Sequence, residues 1–257
     1  MSMKKIEEML NRRWINWLHG IYMEKHTEKR DEFSQKYIAD NQLRVSSMVE
    51  IVKFFLERNS INLKNKKVGN IGYSSFDQLL RTELSSNLIT IVPDKSFIPD
   101  DAILSPELIH YFDITQENEV FDATQYDLLI CTEVIEHLMA DDRIIFSNLN
   151  KLTKSEGFLV LSVPNSVSLL RRLLVLLGKN NIAQKKNIIR GPFGGYGHIR
   201  EYAMYEVQYF LRQSFNLVFN VGINDFPSTL SIPLNRFLPT SLSDDMLFIA
   251  QKKITLK

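Results

Sequence analysis

The chain has 257 residues, 44% of them hydrophobic, which suits one α/β domain with a sizeable core and excludes a disordered chain. Its net charge of +1 gives no global attraction to nucleic acid. A single cysteine, Cys131, excludes an intrachain disulfide and a cysteine zinc cage, and its place in an apolar run reads as a buried, inert thiol.

The opening MSMKKIEEML has charge but no apolar core of a signal peptide behind it. Residues 1–60 read as a charged helical extension. Ile6, Met9, Leu10, Trp14, Trp17, Leu18 and Ile21 keep the three-four spacing of one apolar helix face, and Val45, Met48, Val49, Val52, Phe55 and Leu56 repeat it. Two packing helices are the plainer reading. A lid over a site, or a homodimer surface, is the sharper one.

Residues 61–257 read as one domain. KKVGNIGY is a strand ending in a turn, and SSFDQLLRTELS is a helix with Ser74 or Ser75 as its N-cap. NLITIVPD, HYFDIT and YDLLICTEV supply three more strands, DRIIFSNLNKLTK a helix, and GFLVLSVPN the fifth strand. After it come the helix MYEVQYFLRQS and the strands FNLVFNVGINDF and DDMLFIAQKK. Strands alternating with helices predict crossover units and a parallel sheet, and the final two strands, joined without a clear helix, predict an antiparallel edge. The fold class is therefore α/β: a three-layer Rossmann-like sandwich with a seven-stranded, mostly parallel sheet, an antiparallel edge strand and N-terminal helices.

Residues 166–200 interrupt this rhythm with the helix SLLRRLLVLLG, a basic linker and the turn-rich GPFGGYGHIREY. A connection of that length is usually functional. A substrate-side insertion, a packing helix with a loop and an interfacial membrane helix all fit, the last ranked lowest. The greasy stretch contains Arg171 and Arg172 and is too short to span a bilayer, so the chain reads as cytoplasmic.

Ligands of open parallel sheets bind outside the carboxyl ends of the strands, where CTEVIEHL places Glu133, Glu136 and His137. In order and spacing, CTEVIEHL, GFLVLSVPN and GHIREY resemble the class I S-adenosylmethionine-dependent methyltransferases, over about Lys66 to Lys253. The resemblance implies S-adenosylmethionine as cofactor. It puts Asn70, Gly72 and Tyr73 at the first turn, Asp94 on the ribose hydroxyls, Asp113 and Ile114 at the adenine, and Thr132 beside the methionine moiety. The first turn departs from the family: Asn70 replaces an acid, and Ser74 and Phe76 stand where glycines are common.

Methyl transfer needs positioning and a nucleophile stripped of its proton. An imidazole titrates near neutrality when unperturbed, which makes His137 the best base candidate. Glu133 and His137 are four apart and would share a helix face. With His198 across the pocket, Glu133 and His137 form the candidate catalytic set.

The E-x-x-E-H pattern also resembles the metal-binding stretch of small-RNA terminal 2′-O-methyltransferases and of ubiquinone-pathway O-methyltransferases. That likeness implies Glu133, Glu136, His137 and His198 as ligands for Mg²⁺ or Mn²⁺. The pattern is also widespread in methyltransferases with no metal role. Tyr196, Arg200 and Tyr202 are the substrate-side candidates, with an Arg200–Glu201 surface pair as the bland alternative.

The leading expectation is O-methylation of a small polar acceptor, such as a sugar or natural-product intermediate. The alternatives are a catalytically impaired relative acting as a partner subunit and a metal-assisted RNA 2′-O-methyltransferase. A nucleic-acid partner is disfavoured because no aromatic and basic platform is present.

Overall fold

A computed structural model of the chain describes residues 32–74, 76–98, 102, 104–117, 124–179, 198–223 and 239–254. The expected helix over 6–21, with Trp14 and Trp17, lies outside the described residues, and with it the question of a lid or dimer surface there.

A long helix α1 (Glu32–Arg58) precedes β1 (Val68–Ile71), α2 (Asp77–Glu83), β2 (Ile89–Val92), β3 (Ile109–Tyr111) and β4 (Tyr126–Thr132). These are followed by α3 (Asp142–Leu152), β5 (Thr153–Pro164), α4 (Leu169–Leu176), α5 (Met204–Ser214), β6 (Phe215–Ile223) and β7 (Asp245–Lys252). The seven strands form one sheet in the order β3-β2-β1-β4-β5-β7-β6. β1 to β5 run parallel, and β7 runs antiparallel between β5 and the outermost β6, so the antiparallel edge falls in the final pair.

Burial explains the three layers. Side chains alternate across a strand with a period of two. Leu129 and Cys131 of β4 join Leu159 and Leu161 of β5 and Phe248 of β7 on one face, against Ile145 and Leu149 of α3 and Val207 and Leu211 of α5. Leu128, Ile130, Val160, Leu247 and Ile249 point to the other face, against Val49 and Val52 of α1 and Leu79 and Leu80 of α2. Both faces of the central strands are covered, which is why their sequences are continuous apolar runs rather than alternating ones.

The Val45–Leu56 stripe of α1 packs as part of one helical layer, as the plainer reading of that stretch expects. One expectation is corrected here. Ser74 is not the N-cap of α2: the helix starts at Asp77, with Phe76 in the cap position and no side-chain cap bond. Ser74 instead accepts a hydrogen bond on Oγ from the Phe76 amide, at 3.2 Å, inside the turn. Phe76 is buried among the apolar side chains of α1 and α2.

The ends of the 166–200 insertion are pinned together. Asn165, just after β5, forms a parallel bridge with Tyr202, and the Ser166 amide donates to the Tyr202 carbonyl at 2.9 Å. Asn165 Nδ2 also donates to the carbonyls of Ser241 and Ser243, at 3.1 and 2.7 Å. The insertion therefore leaves and re-enters the fold at one point, at the carboxyl end of β5.

Candidate functional site

The chain turns sharply after β4. Glu133 has a φ of 55°, a left-handed conformation that costs a non-glycine residue free energy and recurs at functional sites. A short 3-10 helix, Ile135–His137, follows in place of the α-helix expected at this point. The turn sends Glu133 away from His137. Its carboxylate accepts from Ser162 Oγ at 2.8 Å and from Arg44 Nη1 of α1 at 2.7 Å. The shared helical face of Glu133 and His137 is thus corrected, and Glu133 is engaged elsewhere than in the metal-type cluster.

Glu136 and His137 turn toward the returning end of the insertion. The Glu136 carbonyl accepts from the amides of Ile199 and Arg200, at 2.8 and 3.2 Å. These bonds bring His198 beside His137, with ring centroids 4.9 Å apart in an edge-to-face arrangement. His137 Nε2 lies 3.6 Å from Glu136 Oε1. Glu136, His137 and His198 each offer one ligand atom, and these atoms lie within 4.8 Å of one another. Three of the four expected metal ligands converge, without Glu133.

The electrostatics of this trio are unusual. The Glu136 side chain is fully buried, and neither carboxylate oxygen has a hydrogen-bond partner among the described residues. Burial, then the nearby Glu133 charge, pushes its pKa well above the ordinary carboxyl range. Burial also lowers His198 to about 4, helped by the neighbouring His137, Arg171 and Arg44, so its imidazole is neutral at pH 7. His198 Nδ1 lies 3.1 Å from Glu201 Oε1, and Arg171 pairs with the same carboxylate. With Nδ1 donating to that carboxylate, Nε2 keeps its lone pair for a ligand or a proton.

Arg200 and Tyr202 have a structural place rather than an open one. Tyr202 is buried and donates to Asp142 Oδ1 at 2.6 Å. Arg200 pairs with Asp142 and with Glu206, and its guanidinium lies 4.8 Å from the centre of the Tyr202 ring. The expected Arg200–Glu201 surface pair is therefore replaced by Arg200–Asp142 and Arg171–Glu201. Tyr196 lies outside the described residues.

A small cavity of about 120 Å³ is lined among others by Arg44, Met48, Asn70, Gly72, Tyr73, Thr132 and Glu133, and by none of the trio. Gly72 has a φ of 83°, which suits glycine, and brings bare backbone to the cavity. Phe76 also lines it, although its ring is buried. Asn70 is tied down, its Nδ2 donating to the Gly72 carbonyl at 3.1 Å and to Asp77 Oδ1 at 3.3 Å. Asp77 is buried and also accepts from Thr90 Oγ1 at 2.6 Å and the Ser74 amide at 3.1 Å. A missing acid in β1 is thus accompanied by a buried one in α2, directed at the turn itself.

Asp94 is exposed at the end of β2 and caps a short 3-10 helix, accepting from the Ser96 amide at 2.7 Å. Those bonds from Ser96 hold its carboxyl below the usual range. Asp113 accepts from the Thr115 amide at 2.8 Å, and Ile114 is buried in the core. A larger recess of about 880 Å³ lies at the opposite, amino ends of β1 and β2, away from every one of these groups.

Sequence reasoning missed Arg44, Asp77, Asp142 and Ser162. Arg44 and Ser162 meet Glu133, and Asp142 meets Tyr202, far along the chain, so no local spacing marks these three.

No family model and no curated protein matches the sequence. Solved structures do match. A chain of the complex between the Haloferax volcanii Trm112 methyltransferase activator and a methyltransferase has a TM-score of 0.53 at 12% identity, over 89% of this chain and 99% of that one. An S-adenosylmethionine-dependent methyltransferase from Clostridium acetobutylicum gives 0.54 at 11% identity, over 85% and 98%. One from Methanosarcina mazei gives 0.51 at 14%, over 77% and 98%. Together with the strand order, these likenesses show that the chain has the class I S-adenosylmethionine-dependent methyltransferase fold.

Proposed function

We propose that the chain is an S-adenosylmethionine-dependent methyltransferase acting on an oxygen of a small polar acceptor, such as a sugar or natural-product intermediate. The observation that carries this reading is the trio Glu136, His137 and His198, gathered around the turn after β4 whose first residues, Glu133 and Val134, line the glycine-turn cavity. In an in-line displacement the acceptor oxygen bonds the methyl carbon as the carbon–sulfur bond breaks. The hydroxyl proton passes to His137, the more exposed of the two imidazoles. Asp94 faces solvent where it can accept the ribose hydroxyls, and Arg44 supplies a cation at the cavity for the cofactor's carboxylate. Titration calorimetry with S-adenosylhomocysteine should give a saturable heat that Asp94→Ala weakens about tenfold or more. No heat and no thermal shift at millimolar ligand would overturn the reading.

A finer reading concerns a divalent cation. The donors fit one: a buried carboxylate with unsatisfied oxygens, a neutral imidazole and a second histidine. Glu136, His137 and His198 would hold it, and a bound Mg²⁺ or Mn²⁺ would lower the pKa of an acceptor hydroxyl. A Mn²⁺ titration that gives no heat, or heat unchanged by Glu136→Gln, would set this aside.

The tied-down Asn70 favours a second reading, an impaired relative acting as a partner subunit. Methyl transfer to any acceptor that Asp94→Ala abolishes would rule it out.

A further inference from the structure

Among the described α-helices, α4 stands apart. None of its residues is buried, and none belongs to either core cluster. Leu170, Leu173, Leu176 and, just beyond the helix, Leu177 are all exposed, Leu176 at 81%. On a helical wheel these four lie together with Leu169 and Leu174 on one side, while Arg171 and Arg172 occupy the other. Surface leucines scattered singly need no account, but a contiguous row on one short helix does.

Charge accompanies the apolar row. From Ser166 to Arg200 the sequence has seven Lys and Arg and no Asp or Glu, while the whole chain carries only +1. Arg171 and Arg200 are neutralised by Glu201 and by Asp142 with Glu206. Arg172 and Lys179 are exposed beside the leucines. Among the described residues, Arg172 and Lys179 thus place exposed positive charge next to an unpacked leucine row.

We propose that α4 is an interfacial helix that seats on the surface of an anionic lipid bilayer. Its leucines would enter the headgroup and acyl boundary while the neighbouring basic side chains meet lipid phosphates. Four leucines on an eight-residue helix and its cap give shallow, reversible attachment, and among the described residues no helix is long and apolar enough to cross a membrane. Charge disfavours the other occupants. A second copy meeting this face would bring Arg172 and Lys179 against their own equivalents, and a nucleic acid would leave the leucines in water. Attachment would reach the site directly, because Arg171 of α4 holds Glu201, the partner of His198.

The test is flotation of the full chain with vesicles of phosphatidylcholine alone and with about 30 mol % phosphatidylglycerol. The chain should float with the anionic vesicles, and weakly or not at all in about 0.5 M salt. The double variant Leu173→Glu with Leu176→Glu should lose about tenfold or more of the binding. Because both side chains are exposed, its thermal midpoint should be unchanged, so loss of binding cannot be loss of fold. Absence of flotation, or undiminished flotation of the double variant, would overturn the proposal. So would a dimer that the same variant disperses while no lipid is bound, or RNA binding that the leucine changes leave intact.

Discussion

Glu136 sets the pH behaviour at the scale of the single residue. Its buried carboxyl keeps a proton at pH values where the unfolded chain, with a pKa of about 4.3, has released it. Stability from this group is present at low pH and falls as pH rises toward the raised folded pKa. Glu136→Gln is therefore expected to raise the melting temperature, by more at pH 8 than at pH 5, while abolishing any cation heat. His198 acts in the other direction. Its folded pKa of about 4 lies below the unfolded value of about 6.5, so the unfolded state binds the extra proton and stability falls as pH drops through that window. His198→Asn should flatten that acid limb, as urea melts across the range would show. Arg44 is the third such residue. Removing its guanidinium leaves Glu133 with one partner in a mostly buried site, and Arg44→Met is expected to cost about 1–3 kcal/mol in urea denaturation and to weaken S-adenosylhomocysteine binding. The double change with Glu133→Gln should cost less than the sum of the singles, since the two groups share one interaction.

At the scale of elements, the turns after β1 and β4 carry the site. Gly72 needs its positive φ, and a Cβ there would approach Val134 Cγ2 to 3.4 Å. Gly72→Ala should cost about 1 kcal/mol, mostly from the backbone, with a larger effect on cofactor affinity than on the melting temperature. The turn after β4 works by a different device. Glu133 adopts a left-handed conformation so that its carboxylate can face Arg44 and Ser162, leaving Ile135–His137 free to face His198. Two acidic residues of one turn thereby acquire opposite environments: Glu133 is hydrogen-bonded by a cation and a hydroxyl, and Glu136 is buried without a hydrogen-bond partner among the described residues.

The whole molecule is most rigid where both faces of the sheet are covered. Leu129, Ile130, Val160 and Leu161 are fully buried between the two helical layers. Their amides should exchange slowest with deuterium, near the global unfolding limit, while α4, with nothing buried, should exchange early. Leu161→Ala is expected to cost about 3 kcal/mol and to speed exchange across all the central strands together, because one cooperative core holds them.

The sequence by itself determined the architecture and the neighbourhood of the site. Apolar runs such as LLIC and FLVLSV, together with the stripe from Val45 to Leu56, specify which surfaces must be buried, and burial is a local property of residue type. CTEVIEHL and GHIREY marked the two turns that meet, because turn chemistry and ionisable groups are also written locally. Only the tertiary structure decided which of those groups face one another. The spacing of Glu133 and His137 predicted a shared helical face, and a positive φ at Glu133 separates them. Arg200 and Tyr202 looked exposed to an acceptor, and Asp142, some sixty residues earlier, claims both. Arg44 carried no local signal at all, since its importance lies in a partner that is distant in sequence. Pattern is fixed by neighbours along the chain, whereas pairing and pKa depend on neighbours in space, which only the folded chain supplies.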